Sequence, residues 1–214
     1  MHRLLKPKLF RTAQYAAVAL ALACITNFAA LAQDAGNMVR ITQRTELTDE
    51  VYRGVLQGLN LLPPDVRRGF TNNGITVTIT PSLAAFGDAN GKGTEYSPRL
   101  HTVVMCERNQ DGTPTAIRRL PITTLHELGH AFDQALGYPS RTAAFRDIYT
   151  REAAKADPQY HPQLAYFLDD PSTGPRETFA SLFACKYFKS SDKRLDALKI
   201  SFPETFKFID NLHF

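Results

Sequence analysis

The stretch Pro121–Gly137, PITTLHELGHAFDQALG, decides the fold. It holds His126, Glu127 and His130 in the order H-E-x-x-H. On an α-helix, residues four apart lie about 40° apart around the axis and roughly 6 Å along it, so both imidazoles reach one ion. Neutral imidazole suits Zn²⁺, and a catalytic zinc site takes three protein ligands and keeps one position open. Zinc brings the pKa of a water toward neutrality, and a neighbouring Glu accepts the proton as that water attacks a carbonyl. The pattern therefore predicts one Zn²⁺ per chain, with Glu127 as the base.

The flanks favour a metal-binding helix over a chance pair of histidines. Ile122, Leu125, Leu128 and Leu136 recur at helical spacing, joined by Ala131, Phe132 and Ala135. Pro121 suits a first helical turn, Gly137 suits the position after the last, and Pro139 lies just beyond. Gly129 and Ala131, beside the ligands, leave room for close packing.

The 214 residues are one domain's worth, and 43% apolar content is enough for a core. The net charge of +4 is misleading, because Arg3, Lys6, Lys8 and Arg11 all fall at the extreme N-terminus. Without residues 1–32, the 25 basic residues become 21, matching 21 acids. That balance excludes a nucleic acid partner held by electrostatics.

Residues 1–32 have the anatomy of a signal peptide. A basic segment, MHRLLKPKLFR, precedes an apolar run, and Ala30-Leu31-Ala32 is an A-x-A site that places cleavage before Gln33. The competing reading is a membrane anchor. The run of about 17 residues is short, contains Thr26 and Asn27, and ends in small side chains, all of which favour cleavage. A lipoprotein reading through Cys24 lacks the branched residue needed at Ala21. The expectation is an exported protein, periplasmic or extracellular, with no membrane insertion after cleavage. Cys106 and Cys185 remain; an oxidising compartment permits a bridge, and two buried thiols are the alternative.

In chain order, a short strand is expected at Met38–Thr42 and a helix from Thr48 to the Pro63-Pro64 stop, with a further turn at Asp65–Phe70. Ile75–Thr80 alternates as a strand. Residues 81–99, rich in Gly, Asn, Ser and Pro, read as an exposed loop. Leu100–Glu107 is a second strand, Asn109–Gly112 a hairpin turn, and Thr113–Leu120 a third strand leading into the zinc helix. An edge strand there could pair with an extended peptide beside the metal. Helices follow at Thr142–Ala156, Pro175–Lys189, Asp192–Ile200 and Pro203–Leu212, with 157–174 a polar and aromatic connector.

Two histidines do not complete a catalytic site. The third His of H-E-x-x-H-x-x-G-x-x-H is absent, since Asp133 and Leu136 stand at the Gly and His positions. The candidates are His161, in the connector, and Glu177, in the first turn of a helix with a strong apolar face. Glu177 is preferred because catalytic zinc accepts a set of two His and one Glu.

At this point HELGH, RETFASLFACKYF and SSDKRLDALKISFPETFKFID together resemble the zinc-binding C-terminal domain of anthrax lethal factor and the related small secreted Pro-Pro endopeptidases. The resemblance runs from about Pro121 to the C-terminus. It implies an α+β zincin-like metallopeptidase fold with a small, mainly antiparallel sheet, an active-site helix and a helical C-terminal half. The domain spans 33–214, with a helix-and-sheet region at 33–120 and a zinc-binding region at 121–214. It implies that His126, His130 and Glu177 bind zinc and that Glu127 is the general base. The family carries an oxyanion-stabilising Tyr seven residues before the ligand Glu, where this chain has Asp170. Tyr166, eleven before, fills that role if the segment carries an insertion. Ser181 stands where the family often has an acid.

The resulting expectation is a secreted zinc metalloendopeptidase acting on a peptide or protein substrate. The rival is a catalytically weak zincin-fold module that binds a peptide or protein, as a toxin-like factor would. The displaced Tyr favours the rival, and Glu127 counts against it.

Overall fold

The computed structural model describes residues 35–87, 93–189 and 192–214. The expected signal peptide, 1–32, lies outside the described residues. A four-stranded sheet forms one side of the molecule, built from β1 (Val39–Ile41), β2 (Thr76–Thr80), β3 (Glu95–Ser97) and β4 (Thr102–Cys106). Their order across the sheet is β1-β2-β4-β3.

The sheet is mixed, not mainly antiparallel. β1 pairs with β2 and β2 with β4 in parallel, and only β3–β4 is antiparallel. Parallel neighbours need a long crossover. Here α1 (Thr48–Leu61) and α2 (Pro64–Asn72) supply it between β1 and β2. The expected strand at Thr113–Leu120 does not form. Pro114 makes a single bridge to Arg108, and a 3₁₀ turn at Ile117–Arg119 follows. The bridge is closed on either side by Asn109 N–H donating to the Thr113 carbonyl and Thr115 N–H donating to the Glu107 carbonyl, so Pro114 needs no amide hydrogen there; the pairing ends where the chain enters the 3₁₀ turn. The edge strand is instead β3, which lies inside the segment expected to be loop. A four-residue helix, α3 (Leu83–Phe86), precedes it.

The helical half centres on α4 (Leu120–Ala135), which carries H-E-x-x-H, packed against α1 and against α7 (Gly174–Tyr187). Around them lie α5 (Ala143–Ala153), α6 (His161–Leu168), α8 (Lys193–Ser201) and α9 (Pro203–Asp210). α6 occupies much of the expected connector. Most of α7 is buried, from Gly174 to Cys185 apart from Arg176. That is where a helix with apolar residues on every side belongs.

α4 and α7 meet backbone to backbone. A Cβ added to Gly129 would sit 2.7 Å from the Cα and the carbonyl oxygen of Ala180. Glycine costs a helix about 1 kcal/mol relative to Ala. The close approach offsets this by letting an aromatic cluster close alongside, with Phe132 and Phe183 centroids 5.0 Å apart and Phe70 edge-on to both. Cys106 and Cys185 are both buried and free, so the second alternative for the pair holds. Among the described residues, no helix is long and apolar enough to cross a membrane.

Candidate metal centre

α4 presents His126 and His130 one turn apart, their ring centroids 4.8 Å apart and nearly perpendicular. α7 brings Glu177 to them. Its Oε2 lies 3.3 Å from Nε2 of His126 and 3.5 Å from Nε2 of His130. One donor atom from each of the three residues falls within 4.8 Å of the others. Four ligands at roughly 2.1 Å in a tetrahedron stand about 3.4 Å apart. The Glu177–imidazole separations match that spacing, and two His with one Glu is a donor set zinc accepts. The residues fit the metal. His161, the other ligand candidate, is exposed at the start of α6.

The surroundings hold two of the three donors, His126 and Glu177. The Nδ1 of His126 lies 3.0 Å from Ser181 Oγ. A proton on Nδ1 donated to that hydroxyl leaves Nε2 as a lone-pair donor. Ser181 thus partners the histidine from the position where the resemblance suggested an acid. Nδ1 of His130 is buried without a hydrogen-bond partner. Glu177 is nearly inaccessible, and its Oε1 accepts from Arg176 at 3.1 Å. Burial alone would raise the Glu177 carboxyl. The hydrogen bonds and charges of the two imidazoles outweigh it and hold the carboxyl well below the usual carboxylate range. Burial likewise pulls His126 down, but Glu177 and Glu127 overcome it and raise its pKa. For His130, burial and the His126 charge prevail and its pKa is lowered.

Glu127 is buried one residue beyond His126. Its Oε2 accepts the backbone N–H of Tyr96 in β3 at 2.8 Å. Burial pushes its carboxyl up to about 7, against the opposing pull of His126 and the Tyr96 amide. Such a group gives and takes protons readily near neutral pH.

Tyr166 projects from α6, and its hydroxyl donates to Glu177 Oε2 at 2.8 Å. Burial first, then Glu177, raise its pKa, so the phenol keeps its proton. Asp170, seven residues before Glu177, belongs to a turn. It accepts from Ser172 and Thr173, which hold its carboxyl at about 2. The chain between α6 and α7 therefore bulges through this turn, and Tyr166 rather than Asp170 reaches the centre.

Two hollows meet at His126 and Tyr166. A cleft of about 550 Å³ runs between β3 and α4 and is bordered by Tyr96, Tyr138, Arg141 and Arg176. A smaller one of about 250 Å³ is bordered by Arg119, Ile122, Asp192 and Arg194. Sequence reasoning missed Tyr96, Arg176 and Arg194. Tyr96 sits in a Gly- and Asn-rich stretch, and a lone Arg carries no spacing signal.

The fold is that of a zincin-like metallopeptidase, α+β with a helical C-terminal half. Residues 100–212, just over half of the chain, match the family described as anthrax toxin lethal factor, N- and C-terminal domain, and the chain belongs to that family. Among solved structures it is similar to the Pro-Pro endopeptidase PPEP-2 from Paenibacillus alvei. The TM-score is 0.55 at 19% identity, over 84% of this chain and 99% of that one. No curated protein sequence matches it.

Proposed function

We propose that the chain is an exported zinc-dependent endopeptidase whose working domain is 33–214 after cleavage before Gln33. The observation that carries this reading is the meeting of Glu177 with His126 and His130 at tetrahedral spacing, with the buried Glu127 alongside. His126, His130 and Glu177 would hold the zinc. When bound, it supplies a Lewis acid that acidifies a water and polarises a carbonyl.

The chain's own groups do the rest. Glu127, tied to Tyr96 through Oε2, takes a proton from the attacking water and passes it to the leaving amine nitrogen. The raised pKa of Tyr166 keeps its O–H intact, and that O–H hydrogen-bonds the carbonyl oxygen as negative charge gathers there. Ser181 holds the His126 ring in the required tautomer, and Arg176 steadies the second oxygen of Glu177. β3, at the sheet edge, offers an extended peptide a strand to lie against.

The test is digestion of a peptide library with added zinc and a chelator control, read by mass spectrometry. Internal cuts that the chelator abolishes are expected. Glu127→Gln should keep the metal and lose turnover by roughly 10²–10⁴-fold. Undiminished cutting in that variant would eliminate the mechanism.

A further inference from the structure

The two hollows carry a charge pattern that metal chemistry does not require. Beyond residue 32, bases and acids are equal in number, and the walls of the two hollows likewise carry five arginines and five acids, so what sets the arginines apart is how they are held. Arg119 and Arg194 line the smaller hollow; Arg99, Arg141 and Arg176 line the larger. Of these, Arg176 is engaged by Glu177. Among the described residues, the other four form no ion pair. The acids on the same walls are occupied. Asp133 accepts from the amide and hydroxyl of Ser140. Asp192 caps α8 by accepting from the Arg194 amide. Glu127 and Glu177 belong to the metal centre, and Glu95 has a partner of its own.

Two of the arginines are held ready. The Arg194 guanidinium lies 4.9 Å over the Tyr166 ring and 4.8 Å over the Phe167 ring, and its buried Nε has no hydrogen-bond partner. Arg141 lies 4.0 Å over the ring of Tyr138. Tyr138 itself adopts φ 65°, a left-handed backbone that a non-glycine residue reaches at a cost. Stacking engages the flat face of a guanidinium and leaves its in-plane terminal N–H groups for a carboxylate, which they can grip with two bonds.

We propose that this cleft selects acidic peptides. A Glu or Asp side chain on one side of the scissile bond takes Arg194 in the smaller hollow, and a second on the other side takes Arg141 in the larger. The inference rests on the endopeptidase reading and names its substrate class.

The test uses the zinc-loaded mature chain carrying Glu127→Gln and short fluorescent peptides that differ only in Glu, Gln or Lys at the flanking positions. Anisotropy should show the Glu peptides binding about tenfold or more tighter than the Gln peptides, with Lys weakest. The advantage should shrink with salt and with either Arg194→Gln or Arg141→Gln. Arg141 is exposed, so its loss leaves the fold intact, and Arg194→Lys should retain some of the preference through its charge. Equal affinity for Glu and Gln peptides overturns the proposal. So does a Glu preference that survives both arginine substitutions. Digestion of the same peptides by the unsubstituted enzyme separates the two readings. Cleavage without acidic preference sinks only the substrate class. Arginine-dependent acidic binding without cleavage sinks only the peptidase.

Discussion

The candidate metal centre is assembled from two unlike regions. α4 and α7 form a rigid pair, crossing at Gly129 and Ala180, and they supply His126, Glu127, His130 and Glu177. β3 and α6 are short elements laid against that pair, and they supply the Tyr96 amide and the Tyr166 hydroxyl. The first region sets what can be bound. The second touches the base through the Tyr96 amide and the Glu177 carboxylate through the Tyr166 hydroxyl, and in the proposed function it sets how fast a bound substrate reacts.

That division can be broken. Glu177→Ala, in the rigid pair, should lose most of the bound zinc and all activity with it. Metal analysis showing full zinc would overturn the ligand assignment. Tyr166→Phe, in the added region, should keep the zinc and lower kcat by about 10²-fold, as removal of an oxyanion donor does elsewhere. A drop in metal content equal to the drop in rate would show that the two regions are not separable in this way. Gly129→Ala pushes a methyl into the Ala180 backbone. It should lower stability by about 1–3 kcal/mol, seen as a reduced Tm in the metal-free protein. An unchanged Tm would mean that the helices are free to separate.

The smallest effect is on pH. Zinc needs both imidazoles neutral, so protons compete with it. His126 has its pKa raised in the metal-free chain, and His130 has its pKa lowered. On acidification, His126 is therefore the first to take up a proton. Zinc affinity should begin to fall at a pH above the ordinary imidazole range, with His130 contributing only at lower pH. Zinc titrations across that window, repeated with Ser181→Ala, would report whether the Ser181 contact tunes this step.

The same division explains what could be read in the sequence. α4 and α7 are rich in apolar residues and open on prolines, so both helices were legible; the two histidines of α4 share a spacing local in sequence, whereas Glu177, 47 residues after His130, was singled out by donor chemistry and by the resemblance. β3 has three residues amid Gly, Asn and Ser, and becomes a strand only because Glu95–Ser97 find Thr102–Val104. α6 begins at His161-Pro162 and reads as connector because its apolar contacts, through Leu164 and Phe167, are long-range. The parallel pairings were illegible for a related reason. Alternation in Ile75–Thr80 fits either direction, and here Thr78 and Thr80 are buried as well. The strand expected at Thr113–Leu120 pairs only as far as Thr115, whose N–H reaches the Glu107 carbonyl, before the chain turns into the 3₁₀ helix at Ile117.

The contact at Gly129 has one more consequence. Main chain rests on main chain there, so no side chain between the two helices sets their separation. The distance over which Glu177 must reach the imidazoles of His126 and His130 is therefore fixed by a residue that has no side chain and lies outside the donor set.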